Sequence, residues 1–291
     1  MLGEAIRAGL DRQGDRTLRL VRRLSRAADE IQWDPAASPA ISEAGRLSGL
    51  KAAVHLSGAS VASHRWTKAW KRKMLESRVG TTKALVESIT RLSDPPKTLL
   101  VASAIGIYGD RGDEVLHEAS EPGSGVLAEL CREWEAAADE AAAAGMRVVH
   151  LRFGVVLGHG GALAQMLPLF RLGLGGRLGS GQQWMSWISV DDVVAAVLFL
   201  LETPEISGAV NVTAPQPVTN AEFTRALGAA LHRPAIVPAP AAMLRLVFGE
   251  MADEALLASQ RALPSKLVHA GFRFTYPKVE DALAAALAPA R

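Results

Sequence analysis

The chain has 291 residues, 49% of them hydrophobic, and 32 Lys and Arg against 30 Asp and Glu give a net charge of +2. This composition excludes fibrous, disordered and disulfide-scaffold proteins, and it predicts one main globular domain with an appended lobe. The near balance of charges produces no overall field to attract nucleic acid or a membrane. The single cysteine, Cys131, excludes an internal disulfide and favours a reducing compartment, for which we expect the cytoplasm.

The sequence predicts neither a secretory leader nor a membrane span. Its first residues lack the basic start, apolar core and small-residue cleavage site of a signal peptide. The longest apolar run, Val193 to Leu201, is shorter than the roughly 20 residues that cross a bilayer. That run predicts a buried helix.

Short apolar segments alternate with amphipathic helical segments along the first half of the chain. The predicted strands are 17–21, 52–57, 98–103 and 147–151, and the predicted helices are 66–92 and 126–144. This alternation is typical of βαβ units and predicts an α/β fold, a Rossmann-type doubly wound parallel sheet. Ligands of such sheets bind at the carboxyl ends of the strands.

The pattern changes after Gly158. A glycine-rich loop, a helix from Val190, a strand at 209–212 and several Ala- and Leu-rich helices follow. We therefore predict a Rossmann-like domain over 1–158 and a smaller, mostly helical lobe over 159–291.

The start of the chain departs from the usual pattern of such a sheet, which begins with a strand, a glycine-rich turn and a helix. Here the chain begins inside the helix, and Leu2 and Gly3 fit only the end of that turn, with Gly3 packing helix against strand. The missing strand is central in the order 3-2-1-4-5-6, so its absence would leave two edges unpaired. Either the chain is shortened or another segment fills the gap.

Five segments together resemble one family. They are 56–89 (LSGASVASHRWTKAWKRKMLESRVGTTKALVESI), 103–118, 127–138, 151–193 and 210–234. They are similar to the epimerase-like family of atypical extended short-chain dehydrogenase/reductases, a branch described as nucleoside-diphosphate-sugar epimerases with a small C-terminal domain from about residue 240. The resemblance implies that the Rossmann domain binds NAD(P) and that the following lobe holds the substrate.

The resemblance implies cofactor contacts first at the end of the family's second strand. Arg22 and Arg23 lie there, where an arginine would meet the 2′-phosphate of NADP, so NADP is favoured over NAD. The alternative is that both arginines belong to a solvated basic run with Arg19 and Arg26.

Further cofactor contacts are implied at other strand ends. The candidates are Gly3, Ser57, Gly58, Ala59, Ser103, Arg152 and Val155. Gly58 would let the backbone approach the cofactor, although a plain strand-to-loop glycine explains it equally well. Val155 stands where an asparagine is common in the loop beside the nicotinamide.

The catalytic pair of the wider superfamily is absent. Ser103 matches the serine that orients substrate, but Leu127 and Cys131 occupy the places of the tyrosine and lysine that transfer the proton. Tyr108 is the remaining acid/base candidate, with a packing role as the alternative. Cys131 has no histidine nearby in sequence to activate it, and free cysteines are most often inert and buried.

The lobe contributes four candidate substrate residues. Trp184 and Trp187 lie in the glycine-rich loop that would cover a substrate, and Arg171 and Arg177 would reach a diphosphate. The alternatives are that the tryptophans pin the loop to the core and that the arginines are solvated surface residues.

Two other patterns have structural explanations. Asp191 and Asp192 fit helix capping better than acid/base catalysis, because negative charge is favourable in the first turn of a helix. The helix that carries Trp66 and Trp70 fits inward packing better than nucleic-acid binding. Seven scattered histidines show no metal-ligand spacing, so no metal site is expected.

Two functions follow as hypotheses, with a monomer or homodimer expected for both. The first is an NADP-dependent epimerase or oxidoreductase acting by hydride transfer on a small polar or nucleotide-linked substrate, with Tyr108 or a water as proton donor. The second is a catalytically silent NADP(H)-binding module that senses redox state or regulates a partner. A third alternative, that the chain binds no dinucleotide, follows from the incomplete glycine-rich turn.

Overall fold

A computed structural model describes residues 1–288 and is built around a four-stranded parallel sheet in the order β10-β6-β4-β3. The strands are β1 (Arg19–Val21), β2 (Glu30–Gln32), β3 (Ala52–His55), β4 (Thr98–Ala104), β5 (Val115–Leu116), β6 (Arg147–Phe153), β7 (Val155–Leu157), β8 (Trp184–Met185), β9 (Trp187–Ser189), β10 (Gly208–Val212), β11 (Val218–Thr219) and β12 (Arg261–Ala262). The predicted α/β fold with a parallel sheet is confirmed.

Helices cover both faces of this sheet. They are α1 (Leu2–Gln13), α2 (Lys68–Leu75), α3 (Thr81–Thr90), α4 (Val126–Ala143), α5 (Gly161–Arg171), α6 (Val190–Glu202), α7 (Asn220–Ala230), α8 (Ala241–Phe248), α9 (Ser265–His269) and α10 (Val279–Leu287). Alternate side chains of β4 and β6 point to opposite faces. Leu99 and Val148 therefore pack with α3 and α4, whereas Leu100 and Val149 pack with α1 and α6.

No other segment of residues 1–288 fills the place of the central strand. Strands β1 and β2 pair in parallel with each other, Arg19 opposite Glu30, and within residues 1–288 no strand joins them to β3. The pair is held to the molecule by apolar packing, because Ile31 and Trp33 share a core cluster with Leu85 and Ile89. Hydrophobic contact through α3 thus keeps the two sheets together without hydrogen bonds between their strands.

The helical segment predicted over 66–92 is interrupted. Thr67 caps α2 by accepting a hydrogen bond from the Trp70 amide, and a π-helical turn at Glu76–Gly80 separates α2 from α3. Such turns widen a helix locally and recur at functional sites. The predicted end of α4 is confirmed, since Gly145 adopts a φ of 87° that only glycine tolerates without strain.

The chain after residue 158 contributes to both the sheet and the lobe. Strand β10 pairs with β6 inside the main sheet, whereas α5, α7 and α10 surround a separate apolar cluster. Asp192 is buried at the start of α6, and its carboxylate accepts hydrogen bonds from the Ser189 hydroxyl and from the Thr275 and Tyr276 amides. Ser189 is the N-cap of α6, because its hydroxyl accepts from the Asp192 amide, and Asp192 adds negative charge to the first turn and anchors the chain at Thr275 and Tyr276.

None of the described helices combines the length and apolarity that crossing a bilayer requires. Across residues 1–288, no three His, Cys, Asp or Glu side chains are grouped so that they could hold a metal ion.

Candidate functional site

The carboxyl ends of β3, β4 and β6 lie at one edge of the sheet because the three strands are parallel. In the registers of these strands, Ser103 is opposite Arg152, and Arg152 is opposite Asn211 of β10. Three polar residues therefore form a row across three neighbouring strands, close to the edge where such sheets bind ligands.

A carboxylate from α4 joins this row into a hydrogen-bond network. Glu135 accepts a bond of 2.6 Å from the Ser103 hydroxyl and two bonds of 2.9 and 2.8 Å from the Arg152 guanidinium. Arg152 also donates to the Tyr108 hydroxyl at 3.0 Å, and Tyr108 donates to the Asn211 side-chain oxygen at 2.7 Å. Both ends of the Glu135–Arg152 pair are thus satisfied by several partners, as a buried ion pair requires.

The protonation states in this network follow from burial and from the ion pair. Burial alone would raise the pKa of Glu135, but the hydrogen bonds and charge of Arg152 lower it below its usual value. Burial raises the pKa of the Tyr108 phenol, and the nearby Arg152 only partly offsets that rise. Glu135 is therefore ionised and Tyr108 is neutral at physiological pH.

The predicted residues Ser103, Tyr108 and Arg152 are brought together, but they face inward. Ser103 is 3% exposed and Tyr108 is fully buried, and each hydroxyl hydrogen is committed to an acceptor inside the protein. This placement agrees with the packing alternative for Tyr108. Glu135 was not selected from the sequence, although its position one helical turn after Cys131 places it on the same face of α4 as that residue.

The positions of the missing tyrosine and lysine are apolar. Leu127 packs in a cluster with Trp66, Met74 and Met251. Cys131 is buried, and burial together with the charge of Glu135 raises the pKa of its thiol to about 11. Neither side chain can transfer a proton near neutral pH, and this thiol lacks the lowered pKa of a nucleophile.

Residues 245–260, which we call the C-terminal segment, close over this apolar cluster through Phe248 and Met251. Glu254 accepts hydrogen bonds from the Val126 and Leu127 amides at 2.9 and 3.0 Å, so it caps α4 from a distant part of the chain. Lys71 of α2 pairs with Glu250 of the same segment. The C-terminal segment therefore contacts the helix that carries the altered catalytic positions.

The two arginines after β1 have different surroundings. Arg23 forms a bidentate ion pair with Glu30 at 2.7 and 2.5 Å, and these bonds lower the pKa of Glu30 to about 2. Arg22 is exposed, and within residues 1–288 its side chain has no hydrogen bond or ion pair. Its charge reaches His55 at the end of β3, where burial first and Arg22 second lower the histidine pKa to about 4.

An arginine that sequence reasoning did not select lies beside the end of β3. A Cβ atom on Gly58 would be 3.0 Å from the Cζ atom of Arg78. The Arg78 guanidinium lies 5.1 Å from the ring centre of Trp134 and donates a weak hydrogen bond of 3.3 Å to the Met74 carbonyl. Arg78 could not be selected from the sequence, because it lies in the π-helical turn and helical periodicity alone does not reveal such a turn.

Comparison with known proteins identifies the family to which this chain belongs. Residues 1–213 match the NAD dependent epimerase/dehydratase family, and residues 239–286 match a domain of unknown function, DUF1731. The chain belongs to this epimerase family. An epimerase family protein of Mycobacterium bovis is 44% identical over 97% of this chain and 93% of its own length.

Two solved structures resemble this member of the epimerase family. The human epimerase family protein SDR39U1, crystallised with NADPH, is 33% identical with a TM-score of 0.88, covering 98% of this chain and 95% of that one. A nucleoside-diphosphate sugar epimerase from Corynebacterium glutamicum is 36% identical with a TM-score of 0.79, covering 99% of this chain and 56% of that one. The family prediction is confirmed.

Three cofactor residues predicted for this epimerase family member, Ser57, Gly58 and Ala59, begin two residues after the end of β3. The Ala59 amide donates to the Ser77 hydroxyl at 3.0 Å. The packing role expected of Gly3 is wrong, because a Cβ there would meet no atom within 4 Å. Val155 begins β7, where its amide donates to the Ser186 carbonyl.

The four predicted substrate residues are not gathered at this network. Trp187 is fully buried in the lobe core and donates to the Gln216 carbonyl, so its predicted substrate contact is wrong and the core-pinning alternative explains it. Trp184 donates to Asp113 at 2.9 Å, and Arg261 lies 4.2 Å from its ring centre. Arg171 and Arg177 are both exposed, as solvated surface residues would be.

Proposed function

We propose that this chain binds NADP(H) at the carboxyl edge of its sheet. The observation that carries this proposal is the state of Arg22, which is exposed and unpaired within residues 1–288 although the adjacent Arg23 is bound to Glu30. Arg22 directly follows β1, and an unpaired guanidinium at the end of that strand fits the 2′-phosphate that distinguishes NADP from NAD. The NADPH bound to the human relative supports the same choice of cofactor.

The residues of this edge fit a dinucleotide in part. Gly58 lets backbone approach a ligand at the end of β3, and open space surrounds Gly3 in the first turn of α1, which has no side-chain cap. We assign the recognition energy to arginine side chains and to strand-end backbone.

We further propose a reaction by hydride transfer on a small polar or nucleotide-linked substrate, as the name of the Corynebacterium relative suggests. When bound, NADP(H) would supply or accept the hydride. Ser103 is 3% exposed and donates its hydrogen to Glu135, so it is held inside the hydrogen-bond network and has no donor to offer a substrate. Because Tyr108 and Cys131 are buried and neutral, we assign the proton to water.

A second candidate function is NADP(H) binding without turnover. It is favoured by Leu127 and Cys131, which place an apolar side chain and a protonated thiol at the positions of the proton-transfer pair. A redox-sensing or regulatory module needs only the binding half of the site. If nucleotide-linked carbonyl compounds oxidise NADPH in the presence of this chain, measured as a loss of reduced-nicotinamide absorbance, the result would support the enzyme and contradict the silent module.

The cofactor preference is tested by replacing Arg22. Arg22→Gln should weaken NADPH binding by about tenfold or more and leave NADH binding unchanged, because only NADPH carries the phosphate that this charge would meet. Dissociation constants from calorimetric titration measure the effect. Arg26→Gln, an exposed neighbour, is the matched control. Equal losses of NADPH and NADH affinity would contradict the role of Arg22.

A further inference from the structure

Arg78 is a cation at the site that neither the ion-pair network nor the family motif uses. Its guanidinium is half-buried, stacked on Trp134 and held near the backbone of Gly58. Its one hydrogen bond within residues 1–288 goes to a carbonyl oxygen, and no carboxylate there neutralises it. A guanidinium has five donors, so most of its hydrogen-bonding capacity is unused.

The charge of Arg78 is partly desolvated and has no carboxylate partner within residues 1–288. Burial lowers the pKa of Arg78, which means that its charge is partly removed from water without an anion in exchange. Its unbonded nitrogens stay within reach of solvent, since none is among the fully buried atoms that lack a partner. The guanidinium is thus held by its contact with the Trp134 ring and by its hydrogen bond to Met74, and its other N–H donors are available at the end of β3.

The fold explains how Arg78 reaches this position. It lies in the π-helical turn Glu76–Gly80, between α2 and α3, where the added residue changes the direction of the side chains. The positive charge of Arg78 opposes the rise in the Cys131 thiol pKa that burial causes, so the two groups are close enough to interact. Arg78 therefore places a positive charge near the position at which the superfamily has its lysine.

We propose that Arg78 binds the ribose and phosphate groups of the dinucleotide beside Gly58, supplying from α2–α3 the positive charge that Cys131 does not supply from α4. The inference rests on the proposed NADP(H) binding and deepens it. Unlike the contact of Arg22 with the 2′-phosphate, this contact is common to NADPH and NADH. Stacking on Trp134 preorganises the guanidinium and reduces the entropy lost when it binds.

The test is calorimetric titration of NADPH and NADH into the full chain and into Arg78→Met. The variant should bind both nucleotides about tenfold or more weakly, since a charge-assisted contact to either is lost. Arg78→Lys should recover most of the affinity because it restores the charge. Arg72→Met removes an exposed arginine of the same segment, whose ion pair within residues 1–288 is with Glu76, and should leave both affinities unchanged.

Salt dependence separates ligand contact from a purely structural role. The slope of log Kd against log salt concentration should fall in Arg78→Met, because one cation fewer meets the ligand, whereas loss of packing alone would leave that slope unchanged. Circular dichroism confirms folding, and if Arg78→Met does not fold, the neutral Arg78→Gln takes its place.

Unchanged affinity in a folded, neutral Arg78 variant would overturn the inference while leaving NADP(H) binding in place. A parent chain that binds neither nucleotide would overturn the proposed function first, and the inference with it. A loss of NADPH affinity with unchanged NADH affinity would also contradict the proposal, because it would assign Arg78 to the 2′-phosphate.

Discussion

At the scale of the residue, burial determines the charge of His55. The imidazole is 4% exposed at the end of β3, with its Nε2 atom 3.3 Å from the Thr81 hydroxyl and its ring edge-on to Trp33. Burial, aided by Arg22, lowers its pKa to about 4, so the ring is neutral at physiological pH. The neutral His55 therefore places no positive charge against Arg22.

This lowered pKa predicts how stability depends on pH. An unfolded histidine has a pKa near 6.5, so between about pH 6.5 and 4 the unfolded chain binds a proton that the folded chain does not. The contribution of His55 is complete above that window and falls by about 3 kcal/mol as the pH drops through it. Urea unfolding at several pH values measures this loss.

His55→Gln should remove that part of the pH dependence whatever its effect on stability at pH 7. His269→Gln, at an exposed histidine, should preserve the parent slope. Parallel stability curves for the parent chain and His55→Gln would show that the imidazole is not held neutral by the fold.

At the scale of the element, the Glu135–Arg152 pair joins α4 to β6. Both side chains are nearly buried, at 12% and 9% exposure, and the carboxylate also holds Ser103 of β4. Glu135→Ala would leave the Arg152 guanidinium buried without its counter-ion. We expect the free energy of unfolding to fall by about 3 to 5 kcal/mol.

Chemical denaturation of Glu135→Ala beside Glu133→Ala measures this contribution. Glu133 is exposed on the same helix, so its replacement should change stability by no more than about 0.5 kcal/mol. Equal, small effects of the two substitutions would mean that the buried pair does not hold α4 on the sheet.

A second contact between elements is the cap that Glu254 places on α4. Glu254→Ala leaves the Val126 and Leu127 amides without their acceptor, and we expect a loss of about 1 to 2 kcal/mol that is concentrated in the C-terminal segment. Hydrogen exchange should therefore accelerate in 245–260 while β4 and β6 stay protected. The control is Asp253→Ala, which removes an exposed partner of Arg245. Uniform acceleration across the sheet would contradict a local cap.

At the scale of the whole molecule, the sequence predicted the layers better than the chemistry. Strands such as β4 and β6 are short apolar runs, and a run buried on both faces is recognisable without knowledge of its neighbours. The sequence left open whether another segment would fill the gap beside β3, and only the observed strand pairing answers this. The Rossmann-like architecture follows from such local patterns.

The arrangement of the site could not be predicted in the same way, because it depends on tertiary contacts that no local sequence pattern reveals. Ser103, Arg152 and Asn211 are distant in sequence and meet only because the strand registers align them. Nothing in the sequence around Trp187 distinguishes a tryptophan that covers a ligand from one inside the core, since both occur in apolar loops. Arg78 is one of several basic residues in its segment until the π-helical turn and Trp134 select it.

The central claim is that this chain, with two sheets not joined by hydrogen bonds, still binds NADP(H). Titration of the purified chain with NADPH and NADH, followed by quenching of its six tryptophans, tests it most directly. Saturable quenching that is tighter for NADPH by about tenfold or more is the expected result, because only NADPH presents a 2′-phosphate to Arg22. Fluorescence unaltered by either nucleotide, with no heat of binding by calorimetry, would contradict the claim.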